Sequence, residues 1–230
     1  AEEAYLKKLL DACDRYGLSL TFDIVGHLLL DSCDGSHTGP HKDGWFAADP
    51  GTDAETDPLF YWPELPDLIT ARSINHELAT HMFSHVLCDE INDQTLEWEL
   101  ERCIESHNKA GLERPDTIVT PRHRPVSYDV LRSAGIRGIR TLKQQPREST
   151  FGRYKQRMGF WTLDRGHPAY DPNQQGGIVE FYTTPYPSLT AVHLPNGQLS
   201  PLWAFQQIPM EIRQRVQRSY LTDAIETAVE

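Results

Sequence analysis

The chain has 230 residues, of which 39 % are hydrophobic and 24 % are charged, a composition typical of a globular protein with one large domain or two small ones. Its 33 acidic residues outnumber the 22 basic ones and give a formal charge of −11, which argues against binding to nucleic acid. No apolar run approaches the roughly 18 residues of a membrane span, and the four cysteines are too few for a disulfide scaffold and include no C-x-x-C pair of a zinc ribbon.

The first elements are a helix, a strand and a long loop. Apolar residues recur at helical spacing over residues 2–16, and Gly17 is a plausible end for this helix. The short β-branched run at residues 18–30 predicts a buried strand that continues at least to Gly26. Residues 31–63 are rich in Gly, Pro, Asp and His without periodicity, which predicts a long loop insertion. Loops of this length often serve as lids or substrate walls.

The remainder of the chain alternates between helices and strands. Further helices are predicted over residues 63–72, 93–110 (capped by Asp93 or Thr95), 127–136 and 209–230. Further strands are predicted at residues 73–81, 117–121, 139–142 and 176–184, whereas residues 143–176 are polar and indicate no clear element. This alternation predicts a single α/β domain over residues 1–230, with a parallel sheet or barrel covered by helices. Chemistry on such folds lies at the carboxyl ends of the strands.

The strongest group of chemically active residues is HELATHMFSH at residues 76–85. On a helical turn, His81 and His85 lie one above the other, where two neutral imidazoles can share one divalent metal. The spacing alone is weak, because ten histidines in this chain produce roughly 0.4 such pairs by chance. The pair His37 and His41 has the same spacing but encloses Thr-Gly-Pro, so a loop is expected there. The position of the pair at the end of a predicted strand, where the site of an α/β fold is expected, favours a metal site.

Three segments of the sequence resemble motifs of a known protein family. HELATHMFSHV resembles the second motif of the NodB-like polysaccharide deacetylases, the family-four carbohydrate esterases, with Met82 in place of the usual Ser or Thr of His-[Ser/Thr]-x-x-His. YLKKLLDACDRYGLSLTFDIVGH, at residues 5–27, is similar to the first helix and second strand of the family. TIVTPRHRPVSYDVLRSAGI, at residues 117–136, resembles the third motif, a strand that ends in Pro-Arg before a helix. The insertion looks like that of a subfamily tied to surface glycan clusters.

The resemblance implies a distorted (β/α) barrel of about seven strands. It also implies a metal-dependent hydrolase that removes N- or O-acetyl groups from the sugars of a polysaccharide or surface glycan, the N-acetyl reaction being hydrolysis of a carbon–nitrogen bond. In this family one Asp and two His hold a divalent metal, for which zinc is the expected ion. Carried over residue by residue, His81 and His85 are the metal ligands and Arg122 orients the catalytic base. A late His protonates the leaving amine.

The first motif departs from the family pattern. It is usually Thr-Phe-Asp-Asp and supplies both the base and the metal carboxylate, whereas this chain has Thr-Phe-Asp-Ile at residues 21–24. In one interpretation, Asp23 is the surviving carboxylate and acts in catalysis. In the other, which we favour, residues 18–26 form the second strand of the family and the first strand lies upstream. Asp23 is then a polar residue in a buried strand and needs a partner.

Both ends of the chain are unlike a complete deacetylase. The last family motif, Leu-x-His, has no match, and His193 is the late candidate for the acid. We therefore expect either a piece of a longer deacetylase, incomplete at both ends, or a natural chain that has lost catalytic parts. The amino terminus has neither the basic stretch nor the apolar segment of a signal peptide, which slightly favours a cytoplasmic location.

Other residues have a structural and a functional interpretation. His76 and Glu77 are expected to be structural, and His123 could face the same pocket as Arg122. The loop histidines could bind a second metal or a sugar, although solvated histidines are the simpler expectation; they are His27, His37 and His41. Aromatic residues of the insertion could stack on sugar rings or pack the insertion onto the barrel, and these are Trp45, Phe46, Phe60, Tyr61 and Trp62.

The sequence thus supports two main hypotheses. The first is a metal-dependent deacetylase acting on a carbohydrate substrate. The alternative is a catalytically inactive, deacetylase-like barrel that binds glycan or a protein partner. A metallohydrolase of another family would use the same His pair without acting on acetylated sugars.

Overall fold

A computed structural model of the protein describes residues 2–142, 171–182 and 207–229. The chain divides into two compact units. The first comprises Ala1–Thr141 and Pro172–Phe181, and the second comprises Leu142–Asp171 and Tyr182–Glu230. All of the candidate site residues described below belong to the first unit.

Five helices and six strands make up the regular structure of the described residues. The helices are α1 (Glu2–Tyr16), α2 (Leu65–Thr70), α3 (Asp93–Lys109), α4 (Tyr128–Ser133) and α5 (Met210–Val229). The strands are β1 (Thr21–Ile24), β2 (Glu77–Thr80), β3 (Thr117–Val119), β4 (Gly138–Thr141), β5 (Asn173–Gln175) and β6 (Ile178–Tyr182). Each predicted helix and strand has a counterpart, and β5 lies within a segment for which no element was predicted. None of the described helices combines the length and the apolar character of a membrane span.

The six strands form one sheet in the order β1-β2-β3-β4-β6-β5. Strands β1 to β4 are parallel neighbours in chain order, and β5 is antiparallel to β6. Helical segments connect the parallel strands, as parallel pairing requires. In the described part of the chain this sheet is open, with β1 at one edge and β5 at the other. The α/β class is therefore confirmed, but the closed barrel of about seven strands implied by the resemblance is not seen.

Two clusters of buried apolar side chains hold the first unit together. Leu96 and Leu100 of α3 pack with Ile118 of β3, Leu131 of α4 and Ile139 of β4. The second cluster joins α1 to β1 and α2, and its members are Leu10, Ile24, Leu29, Leu65 and Ile69. The helices therefore bury the apolar stripes that the helical spacing predicted.

The end of β1 differs from the prediction, and the difference positions the site. The strand ends at Ile24 instead of continuing to Gly26, and a short 3₁₀ helix, Gly26–Leu29, follows. The backbone amide of Gly26 donates to the carbonyl of Met82 at 2.9 Å, so pairing with the segment after β2 continues beyond the strand. A Cβ atom on Gly26 would lie 3.1 Å from Cα of Cys103, which indicates how closely α3 approaches this turn.

The cap of α3 also differs from the prediction. Asn92, rather than Asp93 or Thr95, precedes the first turn, and its side chain accepts a hydrogen bond from the amide of Thr95 at 2.9 Å. An Asx side chain in this position satisfies one of the free amides of the first turn. The cap thus lies one residue before Asp93, and the helix itself is as predicted.

We predict that Leu131→Ala lowers the free energy of unfolding by about 2–5 kcal/mol, because Leu131 is completely buried and its loss leaves a cavity between α4 and the sheet. Leu9→Ala is the matched control, since Leu9 of α1 is 46 % exposed. This control should change stability by at most about 0.5 kcal/mol. Urea denaturation followed by circular dichroism measures both values, and equal effects of the two substitutions would contradict the packing described.

Candidate active site

The carboxyl ends of three parallel strands bring the sequence-predicted site residues to one edge of the sheet. Asp23 is the third of the four residues of β1, and His81 directly follows β2. Arg122 lies in the short 3₁₀ helix that follows β3. Because β1, β2 and β3 are parallel, their carboxyl ends meet at the same edge, where α/β folds carry their ligands.

His81 and His85 lie close together, but not on a helix. The centroids of the two imidazole rings are 4.9 Å apart. No helix covers the segment between β2 and Cys88, and both Met82 and His85 have left-handed backbone conformations, with φ of 66° and 60°. The predicted helical turn is therefore wrong, although its consequence, two neighbouring imidazoles, is present.

A buried carboxylate explains why this segment is a loop. Glu99 of α3 is completely buried, and its Oε2 accepts hydrogen bonds from the backbone amides of Phe83 and Ser84, each at 2.8 Å. Its Oε1 accepts from the hydroxyl of Ser84 and lies 2.7 Å from Nε2 of His41. These contacts replace the intrahelical hydrogen bonds that the two amides would otherwise make. Glu99 thus positions the loop that carries His81 and His85.

Sequence reasoning missed the role of Glu99, although a signal was present. Leu96, Glu99, Leu100 and Cys103 follow the i, i+3, i+4, i+7 spacing of the buried face of α3. An acidic residue on such a face must have partners, because an unpaired buried charge is strongly destabilising. The identity of the partners depends on the tertiary fold.

The hydrogen bonds of His81 leave one of its ring nitrogens free for a ligand. Nδ1 of His81 donates to the backbone carbonyl of Val119 at 2.6 Å. With the proton on Nδ1, the lone pair of Nε2 is available, as in many metal-bound histidines. Oδ2 of Asp23 lies 3.4 Å from the same Nδ1, and the Asp23 side chain is 37 % exposed. Asp23 is therefore exposed, and the expectation of a polar residue in a buried strand is wrong. Its contact with Nδ1 suits orientation of His81 rather than metal ligation.

The environment of His85 disfavours its charged form. Partial burial of the imidazole lowers the pKa of His85, and electrostatic interactions with His81 and Arg122 lower it further. A neutral imidazole is the form that binds metal. His81 and His85 therefore fit a divalent metal as two of its ligands. In the described part of the chain, no third ligand atom joins this pair in a group whose members lie within 4.8 Å of one another.

Backbone strain is concentrated at this edge of the sheet. Among the described residues other than glycine, a positive φ occurs only at Met82, His85, Arg122 and His123. These four residues occupy the two loops after β2 and β3. Strained backbone persists only where the surroundings enforce it, and it is common at active sites.

Two of the remaining residues singled out from the sequence, His76 and Glu77, lie away from the candidate site. His76 and Glu77 lie at the amino end of β2, where Glu77 accepts hydrogen bonds from the hydroxyls of Thr21 and Thr117. His76 accepts from the backbone amide of Leu20. Both residues contact the start of the sheet, opposite the edge that carries His81, in agreement with a structural role. His193 lies outside the described residues.

The aromatic residues of the insertion divide between two environments. Trp45, Phe46 and Phe60 line a pocket of about 390 Å³ together with Ser84, the residue before His85. Nε1 of Trp45 donates to the hydroxyl of Ser84 at 2.8 Å, which ties the insertion to the loop after β2. The other two aromatic residues, Tyr61 and Trp62, are buried in the unit or packed against its second apolar cluster.

The loop histidines are not solvated as expected. The side chain of His41 is only 3 % exposed and pairs with Glu99. His27 and His37 lie next to Cys33 and Asp49, and the side chains of both histidines are 11 % exposed. Sequence reasoning missed Cys33 and Asp49, because their spacing from the two histidines is irregular and follows no known ligand motif.

This is an α/β fold whose candidate metal-binding loops lie at the carboxyl edge of a mostly parallel sheet. A similar fold occurs in a solved structure. A proposed polysaccharide deacetylase from Mycobacterium smegmatis is similar over 96 % of this chain and 59 % of its own, with a TM-score of 0.50 and 17 % sequence identity. A family 4 carbohydrate esterase from Streptomyces lividans, in complex with acetate, is similar over 56 % of this chain and 52 % of its own, with a TM-score of 0.35 and 18 % identity.

The comparison with the Mycobacterium smegmatis protein supports the resemblance at the level of the fold. The chain has the fold of the Mycobacterium smegmatis protein and spans 59 % of the length of that protein. Neither a scan against protein-family models nor a search of curated proteins finds a match for the sequence. The predicted resemblance is thus confirmed at the level of the fold, at 17 % sequence identity.

We predict that Glu99→Ala lowers the free energy of unfolding by about 2–5 kcal/mol, because it leaves the buried amides of Phe83 and Ser84 and the imidazole of His41 without their partner. Glu99→Gln keeps an oxygen for the two amides and should be less destabilising. Glu105→Ala, on an exposed position of α3, is the matched control. Urea denaturation provides the values, and a Glu99→Ala variant as stable as the control would refute the positioning role.

Proposed function

We propose that the first unit forms the core of a metal-dependent hydrolase that removes acetyl groups from the sugars of a polysaccharide or surface glycan. The observation that carries this proposal is the convergence of Asp23, His81, His85 and Arg122 at the carboxyl edge of a sheet with the fold of a proposed polysaccharide deacetylase. In the proposal, His81 and His85 are ligands of a divalent metal, for which zinc suits the imidazole donors.

The proposed mechanism assigns a separate task to each side chain. The chemistry that the metal supplies in such a site is polarisation of the acetyl carbonyl and acidification of its bound water. Asp23 and the carbonyl of Val119 hold the proton of His81 on Nδ1 and so keep Nε2 available. Asp23 is accessible at this edge and is the carboxylate that we propose as a proton acceptor. Arg122, whose charge acts on His85, orients the reacting groups.

The pocket beside this edge supplies a site for the sugar. Trp45, Phe46 and Phe60 present aromatic surface around a volume of about 390 Å³, which is within the range of pockets for small ligands. Aromatic faces are suited to stacking on the apolar faces of sugar rings. The hydrogen bond from Trp45 to Ser84 fixes this surface next to the loop of His81 and His85.

The alternative proposal is a deacetylase-like domain that binds glycan without hydrolysis. It is favoured by the position of Asp23 against Nδ1 of His81, on the side of the ring away from the free nitrogen. Under this alternative, glycan binds in the aromatic pocket and no acetate is released. The two proposals therefore differ in acetate release and agree on glycan binding.

We predict that His81→Ala removes one equivalent of bound zinc and abolishes acetate release from N-acetylated chito-oligosaccharides, because one of the two imidazole ligands is lost. His76→Ala is the matched control, since His76 lies at the opposite end of the same strand. Metal content of the purified chain and released acetate are measured together. Unchanged zinc content in His81→Ala would overturn the ligand assignment, whereas zinc binding without acetate release in the wild type would favour the alternative.

We predict that Arg122→Ala lowers kcat by about 10-fold to 100-fold and leaves zinc affinity nearly unchanged, because an orienting guanidinium acts on the reacting groups and not on the metal. Arg122→Lys keeps the charge and should restore part of the rate, whereas the planar geometry of arginine is lost. Steady-state kinetics and zinc titration separate the two effects. A loss of zinc affinity with unchanged kcat would assign Arg122 to the metal site instead.

A further inference from the structure

A second group of metal-ligating side chains lies outside the proposed active site. His27 belongs to the 3₁₀ helix after β1, and Cys33, His37 and Asp49 belong to the insertion. One nitrogen, sulfur or oxygen atom from each of these four residues lies within 4.8 Å of the others. None of the four is among the residues proposed for deacetylation.

The contacts within this cluster converge on one carboxylate oxygen. Oδ2 of Asp49 lies 3.0 Å from Nε2 of His27 and 2.7 Å from Nε2 of His37. Sγ of Cys33 lies 3.3 Å from the same oxygen and 3.7 Å from Nε2 of His27. Two imidazole nitrogens and a sulfur thus surround one carboxylate oxygen, and all four atoms lie within 4.8 Å of one another.

The two ring nitrogens of His27 indicate why a cation fits at this centre. Nδ1 of His27 faces the backbone carbonyl of Phe60 at 3.3 Å, and Nε2 faces the carboxylate of Asp49 at 3.0 Å. A neutral imidazole has one donor nitrogen and one acceptor nitrogen. It therefore cannot donate to both oxygens, and one lone pair must face an acceptor. A cation between Nε2 and the carboxylate removes this repulsion and leaves the Nδ1 proton for Phe60.

The dimensions of the cluster approach those of a tetrahedral metal site. Zinc bonds of about 2.0–2.3 Å to nitrogen, oxygen and sulfur place neighbouring ligand atoms roughly 3.4 Å apart. The separations between Asp49 Oδ2 and the other ligand atoms are 2.7 Å to His37, 3.0 Å to His27 and 3.3 Å to Cys33. A shift of the carboxylate by less than about 1 Å would bring these three separations to the values of a tetrahedral zinc site.

Outer contacts hold the ligands in place. Oδ1 of Asp49 accepts hydrogen bonds from the amide of Gly51 at 3.0 Å and from the hydroxyl of Tyr61 at 3.2 Å. The carbonyl of Phe60 orients His27 in the manner common for metal-bound histidines. The Asp49 side chain is 6 % exposed, so the centre is largely closed to solvent.

We propose that His27, Cys33, His37 and Asp49 bind one zinc ion that fastens the insertion to the end of β1. Four protein ligands and a closed environment are typical of structural zinc sites, and a thiolate with two imidazoles excludes the oxygen-preferring Mg²⁺ and Ca²⁺ as the favoured ions. The insertion has little regular structure of its own, with one isolated bridge between Ser32 and Asp53. A metal crosslink would supply the order that backbone pairing does not.

This site has a consequence for the neighbouring pocket. Asp49 and His27 line the pocket together with Trp45, Phe46 and Phe60. A zinc ion held by His27 and Asp49 therefore fixes the aromatic wall relative to β1. The inference does not depend on the proposed deacetylase activity, because it concerns a different set of ligands.

Titration of the metal-free chain with Co²⁺ tests the proposal through a signal that requires a thiolate ligand. We expect one equivalent of Co²⁺ to produce the thiolate-to-cobalt charge-transfer band, and Cys33→Ser to abolish this band. Cys88→Ser is the matched control, since Cys88 is buried and lies outside the cluster, and it should retain the full band. His81→Ala should also retain it, which separates this site from the proposed active site. Absence of the band in the wild type, or its persistence in Cys33→Ser, would overturn the proposal.

A second measurement uses the unmodified chain and so does not depend on folding of a variant. We expect added zinc to slow alkylation of Cys33 by iodoacetamide by about 10-fold or more, as quantified by mass spectrometry, because a metal-bound thiolate is less available to the reagent. An equal rate of alkylation with and without zinc would overturn the proposal and leave a hydrogen-bonded cluster without a metal ion.

Discussion

The buried carboxylate of Glu99 joins three parts of the first unit that meet beside the candidate active site. It belongs to α3, and it accepts hydrogen bonds from the backbone of Phe83 and Ser84 in the loop after β2. It also pairs with His41 of the insertion. A buried charge is tolerated only when all of its contacts form together. The position of the insertion and the conformation of the loop of His81 are therefore both coupled to α3.

The two candidate metal sites differ in their exposure to solvent. At the sheet edge, Asp23 and His85 are exposed to solvent. In the insertion, Asp49 is nearly buried and is hydrogen-bonded by Tyr61. An open coordination position is the property of a catalytic site, whereas a closed ligand set is that of a structural site. Under the two proposals, the first unit combines an accessible edge for catalysis with an insertion that a metal ion holds in place.

Much of the fold was predictable because its determinants are local. The helical spacing of apolar residues in α1 and α3, and the β-branched runs of β1 and β6, specify their elements without reference to the rest of the chain. The alternation of these elements then predicts a parallel sheet with a functional carboxyl edge. The helical turn at His81 and His85 was wrong because Glu99, a residue of another element, sets the conformation of that loop. The sheet formed by the described residues is also open. The hydrophobic periodicity of single elements cannot indicate whether a sheet closes into a barrel.

The sequence by itself determined the α/β class, the order of the elements and the pair of histidines after β2, because each of these follows from residues that are near neighbours in the chain. Only the tertiary structure decided that Asp23 contacts Nδ1 of His81, and that His27 and Asp49, which are 22 residues apart, contact each other and Cys33. Ligands in a loop without periodicity have no fixed spacing. Their convergence depends on how the loop folds back on β1, and this is a property of packing rather than of local sequence.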